Sequence, residues 1–361
     1  MRLKQLPEDF IVEEIIEIPE LKENGNQTYF WLTKKNWTTE NALRIISRKL
    51  RTSPRRFKFA GTKDKIAITK QLVSVFKIPR YSLEKLRIKD ISIEIIGLGD
   101  EPVSLGTLKG NKFDITIRDI KPKEITKLEK NFNKIKKTGF KNYFGEQRFG
   151  KGNTHIIGKY ILTGQLELAV KEIICFAGEK EREEVKTAKE FASENWGSWQ
   201  AILERFPIHL HLERDVLIWL AKPNNQNDFA GALRVLPKYI RKLYVHAYQS
   251  FIWNSALKSL KTAKGNLLVP GFTTKLGKDA FSKAIKKLLE KDSLTLESFK
   301  CVRIPEIAVE GEKREAIVKP KHLAISAPED DELNAGKKKL KLSFELPKGS
   351  YATVLLELLF A

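Results

Sequence analysis

The chain is poor in the residues that carry metal and thiol chemistry. Among its 361 residues there are 2 cysteines, 5 histidines and 1 methionine. Cys175 and Cys301 stand alone, in no metal-ligand spacing, a usage expected of a reducing cytoplasm. His209 and His211 are two apart, which on a helix points them to different faces, and the other histidines are scattered. No bound metal is therefore expected, and no Ser-His-Asp or Cys-His arrangement can be assembled. No apolar run approaches a membrane span, and the opening "MRLKQLPEDF" lacks the apolar stretch of a signal peptide. The expectation is a cytoplasmic protein without a membrane partner.

Positive charge is abundant. Lys and Arg number 66 against 45 Asp and Glu, a formal charge of +21. Such an excess points to a polyanionic partner, nucleic acid before anionic membrane. With 42% hydrophobic residues the chain can build two domains of ordinary size.

Strand and helix patterns alternate at first. "TYFWLT" (28–33) and "QLVSVF" (71–76) are strand-like, and "RRFKF" (55–59) alternates. In "NKFDITIRDI" Phe113, Ile115 and Ile117 share one face, with Asp114, Thr116 and Arg118 on the other. "TTENALRIISRKL" predicts a helix capped by Thr38, with Glu40 in its first turn. Ile125, Leu128, Phe132 and Ile135 predict another, stopped by Gly139. From His155 to about Lys264 the pattern is almost wholly helical. At the C-terminus, "GKKKLKLSFELPKGSYATVLLELLF" reads as a strand, a Pro-Lys-Gly turn and a second strand. Ala352, Val354, Leu356, Leu358 and Phe360 would form that second strand's apolar face. "APEDDELNAGKKK" reads as an exposed loop. The expected fold class is α+β, a mixed or antiparallel sheet with a mostly helical inserted domain. Residues 1–152 with 320–361 would form the sheet domain, and 153–319 the insertion.

Among candidate sites, "GEQRFGK" (145–151) has phosphate-loop spacing, but Gly152 follows where Ser or Thr would hold magnesium, and no strand-loop-helix context surrounds it. No nucleotide cofactor is expected. Basic residues interleaved with aromatics are more informative. Arg44, Arg48, Lys49, Arg51, Arg55, Arg56 and Lys58 lead into Lys63, Lys65 and Lys70. A second cluster, "KKTGFKNYFGEQRFGKGN", sets Phe140, Tyr143, Phe144 and Phe149 among cations including Arg148. Cations hold phosphates and exposed rings stack on unpaired bases. The plainer alternative is a solvated basic face with the rings turned into the core. Asp64, the one acid in "FAGTKDKIAITKQ" (59–71), reads on its own as a turn residue.

"FAGTKDKIAITKQ" closely resembles the signature of the TruD family of pseudouridine synthases, and "NYFGEQRFG" (142–150) its second signature. "PEDFIVEE" (7–14), "LKGNKF" (108–113) and "LPKGSYAT" (346–353) follow the family's order along both ends of the chain. The resemblance implies a pseudouridine synthase catalytic domain carrying a family-specific insertion, acting without a cofactor on tRNA, at uridine 13. It implies that Asp64 is the catalytic aspartate, serving as nucleophile or base, and that Lys4 is its charge partner. By the same resemblance Phe144 stacks the extruded base, and Asn142 positions that ring or hydrogen-bonds the uracil. Lys63 and Lys65, pointing away from Asp64 in an extended segment, would hold phosphates with Arg148. One departure stands out. After "SYAT" the family continues to an Arg-Glu pair, whereas this chain has "VLLELLF", with Glu357 and Leu358. The competing reading is a non-catalytic RNA-binding protein or chaperone on the same fold.

Overall fold

The alternating N-terminal segments become strands β1 (Phe10–Ile16), β2 (Gln27–Lys35), β3 (Phe57–Phe59), β4 (Ile68–Phe76), β5 (Ile91–Gly99) and β6 (Leu108–Ile120). Helices α1 (Thr39–Lys49), α2 (Arg80–Glu84) and α3 (Ile125–Thr138) lie between or after them. The computed structural model describes residues 1–361. Thr38 caps α1 by accepting from the Asn41 N–H, and Gly139 ends α3 with φ of 73°.

A helical run follows: α4 (Thr154–Leu162), α5 (Leu166–Cys175), α6 (Glu183–Glu194), α7 (Trp199–Arg205), α8 (His211–Leu220), α9 (Phe229–Arg234), α10 (Lys238–Ser259) and α11 (Ala280–Lys291). Short strands β7 (Phe140–Lys141), β8 (Asn266–Val269), β9 (Glu312–Glu315) and β10 (Ile317–Val318) accompany it. The chain then forms β11 (Lys321–Ile325), β12 (Glu329–Asp330), β13 (Lys338–Pro347) and α12 (Ala352–Phe360). Two units result, Met1–Phe140 with Val318–Ala361, and Lys141–Ile317. The first division thus falls before the second signature, not after it as the sequence suggested. The loss of strand texture shows only once α4 begins, beyond the signature loop.

In the first unit nine strands form one sheet, ordered β11-β13-β6-β1-β4-β2-β5, with β12 on β13 and β3 on β4. Along the path only β1 and β4 pair in parallel. The returning strand β13 pairs with β6 from Lys338↔Ile120 to Pro347↔Gly110, so the last segment of the chain completes a sheet begun by the first. β2, between β4 and the edge strand β5, is buried on both faces. Phe30 and Leu32 join Leu43 and Ile46 of α1 and Val73 and Val75 of β4, while Tyr29 joins Leu72 and Leu108 opposite.

Two sequence expectations fail here. Residues 352–360 form a helix, not a strand. Almost every residue in "ATVLLELLF" is apolar, so strand and helix spacings can both be read from it, and leucine favours the helix. Val354, Leu355 and Leu359 are buried together at helical spacing, and the Asn131 side chain of α3 donates to the Leu359 carbonyl at 3.1 Å. The acidic loop also departs from its exposed reading, because Asp331 is buried.

In the second unit α10 is the spine, burying Val245, Tyr248, Ile252, Trp253, Ala256 and Leu257. Gly158 lets α4 approach it closely, since a Cβ there would sit 2.1 Å from the Tyr244 carbonyl oxygen.

Candidate active site

The parallel pairing of β1 with β4, Ile11↔Ile68 to Glu13↔Lys70, brings the "PEDFIVEE" and "FAGTKDKIAITKQ" segments side by side. Lys4 precedes the first of these and adopts φ of 57°, turning its chain toward the second. Its ammonium donates to Asp64 Oδ2 at 2.7 Å and lies 4.1 Å from the centre of the Phe10 ring. The pair stays wet, with side-chain exposures of 22% for Lys4 and 39% for Asp64. Asp64 is thus a carboxylate open to a ligand on one side and met by a cation on the other.

Four buried or half-buried polar groups hold the loop that carries it. The Thr39 hydroxyl, at the start of α1, accepts from the Lys63 N–H at 3.0 Å and donates to Gln71 Oε1 at 2.8 Å. Gln71 in turn donates to the Gly61 carbonyl at 3.1 Å. The Lys34 ammonium, on β2, donates to the carbonyls of Trp37 at 2.6 Å, Asp64 at 2.9 Å and Lys63 at 3.4 Å. Glu14, the last acid of "PEDFIVEE", pairs with the Lys63 ammonium and accepts from the Leu72 N–H at 3.0 Å. Burial pushes the Glu14 carboxyl up from its ordinary value, with Lys63 opposing.

Lys63 therefore does not present its charge to a phosphate. Its side chain is almost buried against Glu14, because a carboxylate sealed under β1 and β4 needs a cation more than a solvated backbone does. Lys65 is exposed.

In the second unit, Asn142 is buried and heavily bonded. Its side-chain amide donates to the Glu315 carbonyl at 2.9 Å, and its Oδ1 accepts from the Arg314 guanidinium at 2.7 Å. Its main-chain carbonyl accepts from Arg314 Nε at 3.1 Å and from the Trp253 indole at 3.2 Å. Two residues on, the Phe144 backbone is clasped by Asn254, which accepts from its N–H at 2.8 Å and donates to its carbonyl at 2.9 Å. The Phe144 ring meets Trp253 edge to face at 6.3 Å, with the Arg314 guanidinium 3.9 Å and that of Arg148 5.5 Å from its centre. At 6% exposure this ring is no open stacking platform; most of its surface is occupied by protein. Asn142 likewise spends its amide on Glu315 and Arg314, which makes it the anchor of the Phe144 turn. Arg148 lies over the same ring, half-buried.

The sequence matches the family model of tRNA pseudouridine synthase D (TruD) over residues 1–267 and 259–358. The chain belongs to the TruD family. A relative from Methanosarcina acetivorans, described as a probable tRNA pseudouridine synthase D, is 35% identical, the match covering 98% of this chain and 91% of that one. The tRNA pseudouridine synthase D of Aquifex aeolicus is 31% identical over 100% of this chain and 98% of its own. A crystal structure of the putative TruD from Methanosarcina mazei superposes with a TM-score of 0.80 at 32% identity, covering 99% of this chain and 93% of that one.

For this TruD member, the sequence reading passed over Lys34, Thr39, Gln71, Asn254 and Arg314. Lys34 did carry a signal. It continues the Phe30 and Leu32 face of β2, and a charge on an apolar strand face must find partners inside. Arg314 carried none, being 172 residues from Asn142.

The Phe144 ring offers a test that separates packing from base contact. Phe144→Leu keeps apolar volume but removes the aromatic face. If the ring stacks a base, worth about 1–3 kcal/mol, turnover falls by about tenfold or more at a temperature where the variant remains folded. Single-turnover rates at saturating enzyme measure it, and a wild-type rate would confine Phe144 to packing.

Proposed function

We propose that this TruD enzyme isomerises uridine 13 of tRNA to pseudouridine, with Asp64 as the reacting carboxylate and no cofactor. The reaction breaks the N1–C1′ bond, turns the base, rejoins C1′ to C5, releases the C5 proton to solvent and leaves N1 protonated. A carboxylate suits it, as nucleophile at the ribose or as base, because it is ionised at neutral pH without assistance. The observation that carries this reading is the Lys4–Asp64 pair, a half-exposed carboxylate held beside one cation on a loop fixed by buried polar groups. The Lys4 ammonium, 2.7 Å from Asp64 Oδ2, leaves the carboxylate beside an opposite charge when bound RNA displaces water from it. The sheet unit carries the chemistry in this proposal. Extruding the base costs a few kcal/mol, which contacts to the extruded base offset.

Tritium release from tRNA transcripts labelled at uracil C5 tests the chemistry, and carbodiimide-dependent primer-extension stops locate the product. One stop at position 13, with about one tritium released per tRNA, is expected. Release mapped elsewhere would overturn the site, and none at all would return the chain to the RNA-binding reading.

The charge of +21 makes a second expectation. The logarithm of tRNA affinity should fall linearly with that of salt concentration, each neutralised phosphate adding about −0.7 to −0.9 to the slope. A flat response in filter binding would remove the phosphate-gripping surface from the proposal.

A further inference from the structure

Lys34 lies in the interior of the sheet unit, 1% exposed, where a lysine is rare unless it is paired. No carboxylate touches it. Its three ammonium hydrogens meet three main-chain carbonyls, those of Trp37, Lys63 and Asp64. Two belong to the loop that presents the Asp64 side chain, and the third precedes the N-cap of α1. We propose that Lys34 is a positioning residue for catalysis, and that its positive charge locks the Asp64 loop in the reactive geometry. The inference rests on Asp64 being the reacting group.

An ammonium has three donors to match three acceptors, whereas a neutral amine has two and a lone pair. On losing its proton Lys34 would turn that lone pair toward one of the carbonyls, and the lock would open. The charged groups facing it are few. Asp64 and Glu40, in the first turn of α1, favour the ammonium, and Lys63 disfavours it. Burial outweighs them all and pulls the group from its ordinary value down to about 8. The lock therefore opens within a pH range in which ordinary lysines stay charged.

This makes catalysis and stability move in opposite directions with pH. Above about pH 8 the folded protein sheds the Lys34 proton that the unfolded chain keeps until about 10.4. The unfolded state then binds more protons, so the Lys34 contribution to stability rises with pH over that window. The single-turnover rate should fall over the same window. A group serving only to hold the fold would give no such opposition.

The experiment measures single-turnover pseudouridine formation and tRNA affinity from pH 6.5 to 10 for wild type, Lys34→Met and Lys34→Arg, with Asp64→Asn alongside. Wild type should lose activity above about pH 8, at least tenfold by pH 10. Lys34→Met should be slowed by about 10- to 100-fold at neutral pH, as a small misplacement of reacting groups costs, with tRNA affinity within about twofold. Its residual rate should lack the alkaline limb. Lys34→Arg, charged throughout, should recover part of the rate and also lack the limb, a test that survives if the methionine variant does not fold. A flat wild-type profile, a normal rate in Lys34→Met, or a limb persisting in Lys34→Arg would each overturn the proposal. Asp64→Asn separates this from the underlying reading. If that variant is active, the reacting group is misassigned; if it is inert while Lys34→Met is normal, only the role of Lys34 fails.

Discussion

Asp64→Asn is expected to fold, to bind tRNA, and to form no detectable pseudouridine. The change removes a negative charge and nearly all nucleophilicity while keeping size and shape. The amide oxygen can still accept from Lys4, which now donates to Asp64 Oδ2 at 2.7 Å. The loop itself is secured through main-chain atoms, the Asp64 carbonyl on Lys34 and the Lys63 N–H on Thr39, and neither bond involves the side chain being replaced. The ion pair that is lost is more than a third exposed on its acidic side, and such pairs contribute only about 0–1 kcal/mol. The melting temperature should therefore scarcely move. Affinity for tRNA should stay within about tenfold, roughly 1.4 kcal/mol, and a slight gain is reasonable because an anion has left a surface that meets phosphates. A turn aspartate would tolerate asparagine, which is an equally good turn residue. Mass spectrometry after carbodiimide labelling, with filter binding on the same preparation, separates the two roles. Normal turnover would end the assignment of Asp64.

What was legible beforehand was whatever depends on near neighbours. The capping of α1 by Thr38, the stop of α3 at Gly139, and the buried face of Phe113, Ile115 and Ile117 on β6 follow from local spacing. The motifs likewise carried Asp64 and Lys4, but their meeting depends on the parallel pairing of β1 with β4, which no local pattern specifies. Where sequence reasoning erred, distant partners decided. Lys63 looked like a phosphate ligand until Glu14, 49 residues earlier, claimed it. Phe144 looked exposed among cations, yet Arg314 and Trp253 enclose it. Arg118 shares the polar side of an alternating strand with Asp114 and Thr116, yet acids from both ends of the chain bury it. The helix at 352–360 is a different failure, since an almost uniformly apolar segment has no periodicity to read.

Arg118→Met is expected to be among the most destabilising substitutions in the sheet unit, by about 3–5 kcal/mol at neutral pH. The guanidinium, on β6, donates to Asp9 Oδ1 at 2.9 Å and to Asp331 Oδ1 at 3.0 Å, and reaches the more exposed Glu332 at 3.0 Å. Asp9 belongs to "PEDF" near the start of the chain, and Asp331 to the segment that returns after the helical unit. Arg118 is thus the cation by which the two separated parts of one unit are joined. Its backbone also exchanges hydrogen bonds with Arg2, at 2.8 and 3.0 Å, so it grips the chain on both sides of Lys4. Methionine would fill much of the space but leave two buried carboxylates without their cation. The titration of Asp331 gives the test its sign. In the wild type, burial pushes the Asp331 carboxyl up. Hydrogen bonds from the Asp119 N–H, the Asn334 amide, the Leu333 N–H and Arg118 outweigh it and hold the group down at about 2. That carboxyl's contribution to stability is therefore present above about pH 4 and is lost as pH falls toward 2. In Arg118→Met the Asp331 carboxyl loses one of the four hydrogen bonds that hold it down and rises, so acidification should cost the variant less stability than it costs the wild type. Guanidinium unfolding of both proteins across pH 3 to 7.5 should give curves that converge in acid, with the variant's remaining activity reduced because Lys4 is less firmly placed. Parallel stability curves, or an unchanged midpoint at neutral pH, would show that Arg118 is not the cation that joins the two segments.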